Sequence, residues 1–93
     1  MDSGRVVVVT GGGSGIGRAT ALRFAQEGDS VVVADVNEAG GMGVVDEISQ
    51  NGGTSFFEHV DVANDESISE LVRRVRDRCG AASVLVNSAG ILQ

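Results

Sequence analysis

Residues 6–17 read VVVVTGGGSGIG, and the fold turns on them. Four consecutive valines, residues 6–9, run without a gap into Thr10 and a glycine-dense turn, after which a helical pattern opens at about Ile16. A β-branched run of this kind reads as a buried strand feeding the start of a helix. Glycines at such a junction admit positive φ and let a ligand approach bare backbone. The first N–H groups of the helix and the positive end of its dipole attract an anion, so the stretch predicts a phosphate cradle. Its spacing is G-x-x-x-G-x-G through Gly11, Gly15 and Gly17, not G-x-G-x-x-G. Nor is it a nucleoside-triphosphate loop, because Arg18 and Ala19 stand where that mechanism needs Lys and then Ser or Thr. A tight glycine turn that binds nothing is the competing reading of this stretch alone.

Downstream, strand and helix patterns alternate. A helix is expected from residue 14 or 15 to 27, with Ile16, Ala19, Leu22 and Phe24 or Ala25 toward the core and Gly28 as its stop. Residues 31–34 form a second all-apolar strand, and continuous rather than alternating apolarity implies cover on both faces, as in a parallel sheet. Asp35 follows, twenty residues beyond Gly15, near the offset at which dinucleotide-binding units place an acid on the ribose. Asn37 is placed to cap a helix over residues 38–50 with Met42, Val45 and Ile48 facing the core. Gly40, Gly41 and Gly43 lie inside that helix, each costing roughly 1 kcal/mol against Ala.

A third strand is expected over residues 55–60, with Asp61 and Val62 at its carboxyl end. Asn64 or Asp65 then caps a helix running to Cys79, whose stripe of Ile68, Leu71, Val72, Val75 and Cys79 follows the 3.6-residue period before Gly80 stops it. A fourth strand, residues 83–86, leads into Asn87, Ser88, Ala89 and Gly90. The order β-α-β-α-β-α-β predicts an α/β fold: a Rossmann-type parallel sheet of strand order 3-2-1-4, half of a doubly wound domain spanning residues 1–93. In that topology the first two helices cover one face and the third covers the other. The ligand crevice is expected at the carboxyl ends of strands 1 and 4, and strand 4 keeps an open edge at which the chain could self-associate or pair with a full-length partner.

Composition narrows the function. The 93 residues are 42% hydrophobic and 22% charged, with 14 Gly and neither Pro, Trp nor Tyr. A net charge of −6 argues against a nucleic-acid or anionic-membrane partner. All seven basic residues are Arg, and Arg73, Arg74, Arg76 and Arg78 read as the solvated face of a helix rather than a phosphate patch. The single Cys79 fits a reducing compartment, and with no leader or membrane-length apolar run in view the expected location is cytoplasmic. His59 is the only histidine and no metal-ligand cluster accompanies it, so no metal site is expected.

Thr10 to Gly17 as TGGGSGIG, Asp35 after strand two, Asp61-Val62 after strand three and Asn87-Ser88-Ala89-Gly90 after strand four together resemble the amino-terminal half of the classical short-chain dehydrogenases/reductases. The resemblance covers nearly the whole chain. It implies that Gly11, Ser14, Gly15, Ile16 and Gly17 surround the pyrophosphate and adenosine, and that Asp35 takes the ribose hydroxyls. It further implies that Asp61 and the Val62 backbone hold the adenine, and that Asn87, Ala89 and Gly90 lie beside the cofactor. NAD is favoured over NADP, because Asp35 repels a 2′-phosphate and Ser14 stands where NADP-preferring members often carry a basic residue. Ser88 departs from the family's N-N-A-G.

The family's catalytic Ser and Tyr-x-x-x-Lys lie downstream, and these residues include no Tyr and no Lys, so the chain supplies no catalytic acid or base. The leading expectation is the NAD(H)-binding portion of an oxidoreductase, truncated before its catalytic segment. Its complete form would transfer hydride between nicotinamide and a secondary alcohol or ketone such as a 3-oxoacyl or hydroxysteroid compound. Two alternatives stay open: a non-catalytic truncated product that binds cofactor or a full-length partner, and an S-adenosylmethionine-binding methyltransferase.

Overall fold

The computed structural model describes residues 4–13, 15–80 and 84–87. Within them the chain runs β1 (Val6–Thr10), α1 (Gly15–Gln26), β2 (Ser30–Asp35), α2 (Glu38–Gln50), β3 (Thr54–His59), α3 (Asp65–Cys79) and β4 (Val84–Asn87). The four strands form one sheet in the order β3-β2-β1-β4, and every pairing is parallel. Fold class and strand order therefore match the reading of the sequence, with element ends displaced by a residue or so.

The valine runs explain the sheet. Because side chains alternate along a strand, Val7, Val9, Val31 and Val33 point to one face, where they meet Ala21 of α1 and Val44 and Ile48 of α2. Val8, Val32 and Ala34 point to the other and meet Val60 together with Leu71 and Val75 of α3. Two helices thus cover one face and one covers the other. Register aligns the carboxyl ends: Thr10 is paired with Ala34 and with Asn87, and Asp35 with His59.

The helix ends follow the expected chemistry. Asn37 caps α2 by accepting the Gly40 N–H, and Asn64 caps α3 by accepting those of Glu66 and Ser67. Gly28 and Gly80 take positive φ after α1 and α3. Three core assignments need correction. In α2 the buried residues are Gly41, Val44 and Ile48, while Met42 is exposed. Ile48 is buried as expected and Val45 packs half-buried against the same cluster, whereas Gly41, which seats the helix on the Phe57 ring, and Val44 take the inner positions in place of Met42. In α1 the buried residues are Gly17 and Ala21, with Ile16 and Ala19 exposed. Small residues, rather than Ile16, bring this helix down onto the valines. In α3, Val72 is exposed and Cys79 only half-buried, while Leu71 and Val75 supply the contact.

The arginines of α3 are not simply solvated. Arg74 Nε donates to Glu58 Oε1 at 2.7 Å and its Nη2 to the His59 carbonyl at 2.9 Å. Arg78 lies 3.8 Å over the Phe56 ring and 3.7 Å from Glu58 Oε2. Both clamp the helix onto β3, whereas Arg73 points outward.

At the amino-terminal end of the sheet, Arg5 holds the buried carboxylate of Asp29 through Nε at 3.0 Å and Nη2 at 2.8 Å. The same pairing raises the affinity of the guanidinium for its proton. β4 keeps an exposed side chain, Leu85, on the face that α3 covers only in part. No helix among the described residues is long and apolar enough to cross a membrane.

Candidate dinucleotide site at the carboxyl edge

The ends of all four strands and the start of α1 lie together along the carboxyl edge of the sheet. After Thr10 the chain turns back across β2, with Gly11 N–H donating to the Ala34 carbonyl at 2.7 Å and Gly12 N–H to the same oxygen at 3.3 Å. Gly13 N–H donates to Asp35 Oδ2 at 2.9 Å. These three amides face inward and fasten the turn to β2. The open half of the cradle begins at Gly15, which has φ of 58° and nothing within 4 Å of the place a Cβ would take. From there α1 starts, and the N–H groups of its first turn have no acceptor within the helix. Gly17 is buried. Bare backbone, free amides and the positive end of a helix dipole at one place are what a pyrophosphate needs.

Asp35 has more structural work than the sequence implied. Besides Gly13, its Oδ1 accepts the Asn37 N–H at 3.0 Å, so one carboxylate joins the glycine turn to the start of α2. A carboxylate has about four acceptor sites, and these two bonds leave the others for ribose hydroxyls. The Asp35 carbonyl accepts the Val60 N–H at 3.1 Å, which ties the end of β3 alongside. Asp61 then forms a local turn, its Oδ1 accepting the Ala63 N–H at 3.0 Å while its own N–H donates to Ser67 Oγ at 2.9 Å.

Gly11, Asp35, Val36, Val60, Asp61 and Val62 enclose a shallow hollow of about 90 Å³. Four expected site residues meet there. Sequence reasoning missed Val36, an apolar side chain 63% exposed at the strand end, which lines the hollow together with the exposed Val62. A valine directly after the strand-end Asp35, matched by Val62 directly after Asp61, was the available signal. Thr10 was read only as part of the motif, yet its hydroxyl donates to Asn87 Oδ1 at 2.9 Å, with the Val86 carbonyl a second acceptor at 3.3 Å. It thereby orients Asn87 at the mouth of the crevice. Ile16 is exposed on the first turn of α1. Ser14, Ala89 and Gly90 lie outside the described residues.

A larger hollow, of about 470 Å³, sits at the other end of the sheet among Gln26, Gly28, Asp29, Asn51, Gly52 and Gly53. Two helices end there, presenting carbonyl oxygens and the negative ends of their dipoles, a poor setting for phosphate despite its size. Among the described residues no group of His, Cys, Asp and Glu could hold a metal ion.

The geometry agrees with what the chain is similar to. It is 40% identical over 87 residues to a 7alpha-hydroxysteroid dehydrogenase of Escherichia coli (strain K12), covering 94% of this chain and 34% of that protein. It is 41% identical over 90 residues to 2,5-dichloro-2,5-cyclohexadiene-1,4-diol dehydrogenase LinX of Sphingobium indicum, covering 97% and 36%. Among solved structures, a short chain dehydrogenase from Mycobacterium avium superposes with a TM-score of 0.89 at 40% identity, covering 99% of this chain and 35% of that one. The chain spans about a third of the length of the curated relatives it matches. The short chain dehydrogenase family profile matches residues 5–93, and the chain therefore belongs to that family.

Proposed function

We propose that residues 1–93 form the NAD-binding half of a dinucleotide-dependent oxidoreductase. The whole protein would move a hydride between nicotinamide and a secondary alcohol or ketone. The observation that carries this reading is the hollow bounded by Asp35, Asp61 and the exposed Val36 and Val62, set beside a glycine turn that opens onto the start of α1. In this reading Gly15, Ile16 and Gly17, with Ser14, meet the pyrophosphate through backbone N–H groups. Gly11, Val36, Val62 and Asp61 hold the adenine, and Asp35 accepts the ribose hydroxyls. Asn87, oriented by Thr10, stands with Ala89 and Gly90 along the path to the nicotinamide. When bound, the nicotinamide supplies a hydride donor or acceptor. These residues contain no Tyr and no Lys, so their part is to bind and orient, and the proton that accompanies hydride transfer is handled elsewhere in the protein.

The preference for NAD over NADP rests on charge. Asp35 would repel a 2′-phosphate, and the two arginines best placed in sequence to offset it are engaged. Arg18 is paired with Glu47 of α2, with Nη2 to Oε2 at 2.6 Å, and Arg5 lies with Asp29 at the far end of the sheet. Relatives named for hydroxysteroid and cyclic diol substrates support a secondary alcohol on a ring as the substrate class. Titration of the chain with NAD and NADP, followed by ligand-observed NMR, tests the reading. NAD should bind the more tightly and alcohol should not be oxidised. Equal affinity for both cofactors, or turnover at an enzyme-like rate, would contradict it.

A second reading, association through β4, is favoured by Leu85, which is 55% exposed on the sheet face. Sedimentation equilibrium of the chain and of its Leu85→Glu variant tests it. A self-associating chain made monomeric by the substitution supports it, and a monomer in both cases opposes it.

A further inference from the structure

Two glycines in α2 are crowded where a side chain would stand, Gly40 by the glycine turn of the candidate site and Gly41 by the Phe57 ring. A Cβ on Gly40 would lie 3.2 Å from the Gly13 carbonyl oxygen and 3.4 Å from the Asn37 side chain. From the opposite direction, a Cβ on Gly13 would lie 2.9 Å from the Gly41 nitrogen and 2.8 Å from Asp35 Oδ2. A Cβ on Gly41 would fall within the Phe57 ring. Gly43, in the same helix, has nothing within 4 Å. α2 is thus notched at Gly40 and Gly41, and the notch admits the glycine turn itself. Asp35 closes the junction, one oxygen accepting from Gly13 and the other from Asn37.

We propose that the Gly40–Gly41 notch positions the Asp35 carboxylate and so sets the discrimination between a ribose diol and a ribose 2′-phosphate. The proposal rests on the NAD-binding reading above. A carboxylate pinned at both oxygens cannot swing aside, so it presents fixed acceptors to a diol and a fixed negative charge to a phosphate. If α2 moves away from the turn, the two backbone donors separate and the carboxylate can rotate. Diol binding then loses its preorganised partner, and the phosphate loses the charge that excluded it. Gly40 and Gly41 are positioning residues, since they act through Asp35.

Dissociation constants for NAD and NADP are measured on the 93-residue chain and on its Gly40→Ala, Asn37→Gly and Gly43→Ala variants, with circular dichroism to establish folding. Gly40→Ala is the gentler probe of the notch, because its contact asks the neighbour to give only a few tenths of an ångström. Asn37→Gly removes the side-chain bond to Gly40 N and costs only a few tenths of a kcal/mol as a cap change, so it decides the matter if Gly40→Ala does not fold. The preference for NAD should fall about three- to tenfold in both notch variants, as sub-ångström misplacement of a positioned group permits, and stay unchanged in Gly43→Ala. A merely structural role would weaken both cofactors together and leave the ratio alone. A native ratio in the folded notch variants overturns the proposal and leaves the NAD-binding reading standing. No binding of either cofactor by the native chain overturns that reading and the proposal with it.

Discussion

One methyl group divides the glycines of α2 into two kinds. At Gly40 it crowds the glycine turn and at Gly41 it collides with Phe57, whereas at Gly43 it meets open space on an exposed helical surface. Gly43→Ala should therefore raise stability by about 0.5–1 kcal/mol, the usual gain of Ala over Gly in a helix interior, measured as a higher urea midpoint with unchanged slope. The sequence showed all three glycines as costs. What each glycine makes room for is a property of its neighbour across the fold, so only the structure could sort them. Asp29 was equally hidden, because a single acid after Gly28 looks like part of a solvated turn, yet its carboxylate is buried against Arg5. Arg5→Gln leaves that buried charge without its guanidinium and should destabilise more than the double change Arg5→Gln/Asp29→Asn, which removes both charges. Thermal unfolding of the three proteins checks the order.

Among the elements, α3 carries the strongest local signals. Its cap, its acidic first turn and its basic last turn agree, and the apolar stripe at Leu71 and Val75 reaches the sheet as its period requires. Asn64→Ala should cost about 1 kcal/mol, since the side chain accepts two otherwise orphan N–H groups, and the loss should appear as a lower melting temperature. The arginines of the same helix were harder to read. Sequence places Arg74 and Arg78 on a polar flank, but not the edge strand beneath that flank, where Glu58 and Phe56 hold them. In α2, Ile48 and Val45 face the core as expected but Met42 does not, for a related reason: glycine carries no hydropathy signal, and here Gly41 makes a close approach to the sheet.

At the level of the whole molecule, topology was legible because every level of pattern agreed. Valine runs without alternation required a parallel sheet with cover on both faces, the short loops required crossovers, and the order 3-2-1-4 followed. Those expected site residues that are described fall at the carboxyl edge for the same reason, since each stands at a strand end or helix start that the alternation had already located. Missing from that view were the partners inside the site: the two hydrogen bonds that Asp35 accepts, from the turn and from the start of α2, the hydroxyl of Thr10 on Asn87, and the exposed Val36. The most direct test of the account is a map of backbone amide shifts in the labelled chain on addition of NAD. The account predicts shifts at Gly13, Gly15, Ile16, Val36, Asp61 and Val62, all at the carboxyl edge. Shifts confined to Gly28, Asn51, Gly52 and Gly53, beside the larger hollow at the opposite end, would contradict it.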